Sequence, residues 1–411
     1  MPILLEEDAR SPLPRMHRVR QAFERPRLED IKGRVAEEMS RGDIRGRIKP
    51  GARVAVGVGS RGIKNLDVIV RALLDQIKDA GGCPFIVAAM GSHGGGTPEG
   101  QREVLSSYGI TEDKMGVAIE TSVDVTHIGK TARGIDIYFD RTALSADLVV
   151  PVNRVKLHTD FVADIQSGLC KMLVIGFGNH TGCSAVHEDE FDTFGDTLLE
   201  GAEMILGAAD IAFGVAIVEN ACDETAMIEA IPAERLIERE KEIVRIARKN
   251  MPTLMIPDID VLVVQEIGKN ISGAGYDPNI LGKSFLLHEF VLPVPNIKRM
   301  VLLDVTDESH GNAIGMGMFD VITRKVFEKL DLEQIYANAI AVKCPEDAKI
   351  PIIAESEDEA IRIAIQVIRG IDRDSLKIVR IKNTLELETI EVSDSLVEYV
   401  NGNDRLSLIR Q

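Results

Sequence analysis

A recurring pair constrains this chain most: a short run of aliphatic and β-branched residues, then a stretch of helical periodicity. Arg53-Val-Ala-Val-Gly-Val, Pro84-Phe-Ile-Val-Ala-Ala, Asp147-Leu-Val-Val-Pro-Val, Ile211-Ala-Phe-Gly-Val-Ala-Ile-Val, Ile259-Asp-Val-Leu-Val-Val and Met300-Val-Leu-Leu-Asp-Val all read as strands. Amphipathic helices are expected over 66–80 and 97–108. Strands that are apolar at nearly every position are buried on both faces, which is the signature of a parallel sheet covered by helices. The expected fold is therefore α/β, with ligands beyond the carboxyl ends of the strands. A charged helix over 233–249 followed by Met251-Pro-Thr-Leu-Met-Ile-Pro marks the domain boundary. Two domains are expected, 1–255 and 256–411, each a mostly parallel sheet flanked by helices, with the active site in the cleft between them. Residues 1–50, charged and proline-containing, are expected as a lead-in arm or dimer contact.

Composition narrows the function classes. Lys and Arg number 48 against 65 Asp and Glu, a net charge of −17. That field repels phosphate backbones, so neither a nucleic-acid binder nor an anionic-membrane binder is expected. An anionic small substrate must be caught by a local cationic pocket. Neither a signal peptide nor a run of ~18 apolar residues is present in the sequence. Five cysteines, an odd number without a CxxC, fit a reducing cytoplasm better than a disulfide framework. Self-association into a homo-oligomer is left open.

Four polar, glycine-rich loops follow the apolar strands. Gly57-Val-Gly-Ser-Arg-Gly-Ile-Lys-Asn precedes a helix, so its N–H groups and Arg61 can hold an anion, although such turns also occur without a ligand. In Gly91-Ser-His-Gly-Gly-Gly-Thr-Pro-Glu-Gly, Thr97 is a helix N-cap and Pro98 sits at N1. Gly94 and Gly95 permit close backbone approach, and His93 is held at the strand end. The stretch from Lys156 to His187 holds His158, His180 and His187, and Lys171 lies beside Leu173, Val174 and Ile175. An amine in such surroundings can serve as a nucleophile or cofactor anchor, or can simply extend its head to water. The histidine spacing matches neither HExxH nor a zinc finger. The loop 265–279, with Lys269, and the segment around His310 are candidates for the opposite wall of the cleft.

These residues, in this order, resemble the nickel-dependent lactate racemase family. Ser60-Arg61 resembles the loop whose Arg orients the substrate, and the Gly-Ser-His stretch at His93 resembles the loop carrying one catalytic His. Lys156-Leu-His158 resembles the segment carrying the second. Ser167-Gly168-Leu-Cys-Lys171 resembles the segment whose Lys is joined to the cofactor. His187, at 187 − 171 = 16 positions beyond, matches the nickel-ligating His. The interval from His158 to Lys171 is a few residues longer than in the lactate racemase itself. Val58 stands where the family's first loop carries an acidic residue, which points to a 2-hydroxy acid other than lactate.

The resemblance implies a racemase or epimerase of a 2-hydroxy acid. It implies a nickel-pincer nucleotide on Lys171, made by dedicated biosynthetic enzymes, with the metal on His187. Gly94, Gly95, Ser167 and Gly168 would line the cofactor; Arg61 and Lys269 would contact the substrate. His93 and His158 would be bases on opposite faces of a planar keto acid. Two other classes remain beside it: a nicotinamide-dependent dehydrogenase and a non-catalytic metal- or nucleotide-binding protein. Gly57-Val-Gly-Ser-Arg-Gly matches the bare dinucleotide string, but Lys64 and Asn65 intervene before the helix.

Overall fold

The structure, a computed structural model, describes residues 4, 6–60 and 62–410. The chain divides into two compact units, Arg25–Met251 and Met1–Glu24 with Pro252–Gln411. Both are α/β.

The first unit is built on a six-stranded sheet. Its strands lie in the order Ile119–Glu120, Cys83–Ala88, Arg53–Val58, Leu148–Arg154, Phe213–Glu219 and Thr225–Pro232. All neighbours pair in parallel except the last two, which are antiparallel. Five of the six residues of Arg53–Val58 are buried, as a strand covered on both faces requires. The helix Leu66–Asp79 covers it with Leu66, Ile69, Val70, Leu73, Leu74 and Ile77, one stripe at three- and four-residue spacing. Each such side chain contributes roughly 1.5–3 kcal/mol on full burial. With no Trp in the chain, the core is aliphatic with a few phenylalanines.

The second unit holds an eight-stranded sheet. Ile352–Ala354, Val321–Thr323, Asn296–Leu302, Asp258–Val264 and Ile378–Ile381 pair in parallel. Thr389–Ser393, Met16–Gln21 and Leu406–Leu408 continue the sheet in antiparallel pairing.

From residue 16 on, the segment expected as a lead-in arm is instead built into the two units. Met16–Gln21 is a strand inside the second unit's sheet, and residues from Arg25 onward belong to the first. The physical reason is period-two burial: Val19 and Gln21 point inward while Arg18 and Arg20 point out. Buried Gln21 is satisfied on both ends of its amide. Its Nε2 donates to the Leu387 carbonyl at 2.7 Å, and its Oε1 accepts the Met255 N–H at 2.8 Å. These bonds tie the segment after Met251 to the first strand, so the division falls at 251/252. Among the described residues, no helix is long and apolar enough to cross a membrane.

Candidate active site

The strand Leu148–Arg154 runs into the loop that carries most of the chemistry. Lys156 and Ser167 form an antiparallel bridge, with N–H···O distances of 2.8 and 3.2 Å. That bridge closes residues 157–166 into a loop, and His158 stands on it. The His158 N–H donates to Gln166 Oε1 at 2.8 Å, and the ring stacks on Phe161 with centroids 4.3 Å apart. The Asp160 backbone N–H donates to His158 Nδ1 at 3.1 Å. On its other side, His158 Nε2 meets the Lys171 amine.

Lys171 is positioned by an unusual piece of backbone. The Gly168 carbonyl accepts from Asn153 Nδ2 at 2.8 Å. A Cβ on Gly168 would lie 2.3 Å from Glu240 Oε1, so a larger residue there would have to push the buried Glu240 carboxyl aside. The short helix Leu169–Lys171 follows, then the π-helix Met172–Gly176, every residue of which is buried. π-turns are rare and gather at functional sites. Beneath this segment, Glu240 accepts the Cys170 N–H at 2.9 Å. Burial pushes its carboxyl up to about 7, although the N–H groups of Cys170 and Leu169 pull the other way.

An unbroken α-helix from Lys171 to His187 would hold the two about 24 Å apart. Asn179, with φ at +49°, interrupts the run, and a new helix, Asn179–Val186, starts there. His187 then sits at that helix's end and responds electrostatically to Lys171. A ladder of rings joins it to His158: Phe161 and Phe194 centroids are 5.1 Å apart, and Phe194 and His187 are 5.3 Å apart. His187 Nδ1 lies 2.7 Å from the Cys183 carbonyl, which can only accept, so Nδ1 carries the proton and Nε2 the lone pair. An imidazole fixed in this way presents Nε2 as a metal ligand.

The Cys183 thiol lies 3.6 Å from both Ser92 Oγ and His187 Nδ1. Burial alone would raise this thiol, but hydrogen bonding and charge from His187 outweigh it and lower its pKa. Burial likewise depresses His187, and Cys183 outweighs that, leaving the imidazole raised. Through Ser92 the loop with His93 is brought to the same place. The Gly91 N–H donates to the Gly176 carbonyl at 3.0 Å, and exposed His93 has Nδ1 3.0 Å from the Met90 carbonyl. By the same reasoning the His93 lone pair is on Nε2.

Gly94, Gly95 and Gly96 all have φ near +65°. Gly94 packs against Gly100, Gly96 packs on exposed His180, and Gly95 faces open space. Gly94 and Gly96 therefore serve packing, and all three glycines adopt a left-handed φ. Gly57 has a packing role too, since its Cβ would meet the Phe177 ring at 2.1 Å. The Lys64 N–H in the same turn is taken by Glu219 at 2.6 Å.

Arg61 lies outside the described residues. Lys269 belongs to the second unit, where its amine donates to the Gly273 carbonyl at 2.6 Å and to Asn338 Oδ1 at 2.9 Å. His93, Ser167, Gly168, Lys171, His158 and His187 thus belong to one connected neighbourhood of the first unit. Cys183, Phe161, Phe194 and Glu240 are part of it as well, and sequence reasoning missed all four. Only Cys183 left a signal, four residues before His187 on one helix face.

Among the described residues, no three His, Cys, Asp or Glu side chains are grouped to hold a metal ion. A metal already chelated by a cofactor needs a single side-chain ligand, and the His187 tautomer suits that need.

The class defined so far is an α/β protein with a lysine and imidazoles gathered at the strand ends of a parallel sheet. Residues 22–194 match the family model described as lactate racemase N-terminal domain. The fold is similar to that of the lactate racemase apoprotein from Thermoanaerobacterium thermosaccharolyticum, at a TM-score of 0.56 and 13% identity. That likeness covers 94% of this chain and 96% of the other. A comparison with curated proteins gave no match.

Proposed function

We propose that this chain is a racemase or epimerase of a 2-hydroxy acid, working with a nickel-pincer nucleotide joined to Lys171. One observation carries the reading: the Lys171 amine meets His158, and the ring ladder leads from His158 to an imidazole whose Nε2 lone pair is set by the Cys183 carbonyl. Lys171 would hold the cofactor and His187 would ligate its metal. Gly94, Gly95, Ser167 and Gly168 would contact the rest of it, with backbone N–H groups suited to a phosphate. When bound, the cofactor supplies reversible acceptance of a hydride from C2 of the substrate.

The side chains supply the rest. A C2–H beside a carboxylate is a very weak acid, so removing the hydroxyl proton as hydride leaves avoids a costly dianion. His93 Nε2, carrying a lone pair, is set to take that proton. His158 stands in the opposite state, since Nδ1 accepts the Asp160 N–H and the ring proton of the neutral imidazole is on Nε2. One base and one acid are what conversion of one hand into the other needs, and the states exchange on the return. Arg61 would clamp the substrate carboxylate. The −17 net charge makes such a clamp necessary for an anionic substrate.

Coexpression with the cofactor-making enzymes, followed by intact mass and metal analysis, tests this. The expected result is one adduct on Lys171 and about one nickel per chain. Lys171→Ala should lack the adduct, and His187→Ala should keep the adduct but lose the nickel. Holoprotein should invert a member of a 2-hydroxy-acid panel that includes sugar acids, with little solvent deuterium entering C2. An adduct at another residue, or full deuterium exchange at C2, overturns the reading.

A further inference from the structure

The bond between His158 and Lys171 has a direction. A backbone N–H only donates, so the bond from Asp160 to His158 Nδ1 makes that nitrogen an acceptor with no proton of its own. The neutral imidazole must then carry its proton on Nε2, the atom that meets Lys171 Nζ. Nε2–H can only donate, so the amine must accept. An ammonium has no lone pair to accept with.

We propose that the Asp160 backbone N–H, acting through the His158 ring, holds Lys171 as an uncharged, nucleophilic amine in the chain before any cofactor is attached. The inference rests on the reading of Lys171 as the attachment point only for its purpose; the amine's state follows from the bonds themselves. Turning the ring over would keep its stack on Phe161 but would set ring carbons against the Asp160 N–H and the Lys171 amine, so these two bonds hold the ring as it stands. Asp160 and His187 are among the ionisable groups that bear on the amine. Asp160 places Oδ2 3.9 Å from His158 Nδ1 and favours positive charge nearby, and His187 is depressed by any charge on Lys171. The Asp160 N–H opposes its own carboxylate, and at 3.1 Å it is the closer partner of Nδ1. Neutral Lys171 is also the state that leaves His187 readiest to bind a proton or a cation.

Competitive labelling with a trace of acetic anhydride reads the amine directly. The lysine nitrogen attacks the carbonyl carbon, the N–C bond forms, acetate leaves with the C–O electron pair, and the nitrogen's extra proton passes to solvent. In cofactor-free protein at pH 7.5, Lys171 should be acetylated about tenfold or more faster than exposed Lys49. Its rate–pH midpoint should lie below the ordinary lysine range. His158→Phe keeps the stacked ring and removes both nitrogens, so labelling at Lys171 should fall to the Lys49 rate or lower while thermal unfolding shows a folded chain. Nitrogen-15 shifts of the His158 ring in wild-type protein give a reading that needs no variant, and a proton on Nε2 alone is expected. Labelling no faster than Lys49, an unchanged rate in folded His158→Phe, or a proton on Nδ1 overturns the inference. A reactive Lys171 that acquires no adduct on coexpression supports the inference and removes the functional reading. An adduct on a Lys171 that labels like Lys49 does the reverse.

Discussion

The loop Gly94–Gly96 in the six-stranded unit and the loop 268–275 in the eight-stranded unit both follow apolar strands, and both combine glycines with one basic or ionisable side chain. Their glycines do different work. Gly95 has nothing within 4 Å of where a Cβ would stand. Gly275, with φ at +84°, would place a Cβ 2.2 Å from the Ile314 carbonyl oxygen, and Gly268 would place one 2.0 Å from Thr306 Oγ1. The first loop is open at its middle and carries exposed His93; the second is folded onto its own unit, with Lys269 bonded to Gly273 and Asn338. Glycine content after a strand therefore signals a special backbone in both places, but only surrounding chain tells a ligand-facing loop from a packed one.

The largest expected effect falls on the open loop. His93→Ala in loaded protein should lower the inversion rate by roughly 10²–10⁴-fold, the span of one general acid–base group. The adduct on Lys171 and the nickel content should be unchanged, as intact mass and metal analysis would read. Loss of inversion together with loss of adduct would instead place His93 in cofactor attachment, and the contrast between the loops would need redrawing.

Stability separates the glycines next. Gly275→Ala combines an overlap with backbone and a left-handed φ, so a loss of roughly 2–5 kcal/mol is expected in urea unfolding. Gly95→Ala meets no neighbour and should cost about 1 kcal/mol, from its φ alone. Equal costs at the two positions would break the comparison.

Beneath the Lys171 segment, Glu240 gives a pH-dependent test of the open unit. Its folded-state value of about 7 lies above its ordinary 4.5, with burial as the main cause. The folded chain therefore keeps a proton that the unfolded chain has released, so stability falls as pH rises from 4.5 to about 7 and levels off beyond. The full drop is of order 3 kcal/mol. Glu240→Gln should match the wild type at low pH and exceed it at pH 8, with urea midpoints as the measurement. Parallel curves for the two proteins across that window would show that Glu240 is ionised throughout.

Much of this was legible before folding. The apolar runs at Arg53, Pro84 and Leu148 became parallel strands, because a strand buried on both faces has no polar positions to hide. Thr97 caps its helix as read, its side chain accepting the Gly100 N–H. The order of His158, Lys171 and His187 pointed to a family that the match over residues 22–194 bears out. Met16–Gln21 was not legible as a strand, since Arg18 and Arg20 make its outward face look like a charged arm. Glu240 reads as one more charge on a solvated helix, yet it is fully buried because that helix packs on the Lys171 segment. The ladder of Phe161 and Phe194 joins residues 33 positions apart (194 − 161), and no periodicity announces a contact made by tertiary folding.

The smallest effect is expected at Lys269. In this structure its amine ties its own loop to Asn338, a role worth about 1–2 kcal/mol when the partners of a charged donor are lost. Lys269→Met keeps the stem and removes the charge, so urea unfolding should show that loss while KM for the substrate changes by no more than about twofold, under 0.5 kcal/mol. A rise in KM of about tenfold or more, in protein that unfolds like the wild type, would mean that this ammonium reaches the substrate. The second loop would then be a binding element too, and its packed glycines would be the frame that aims the lysine.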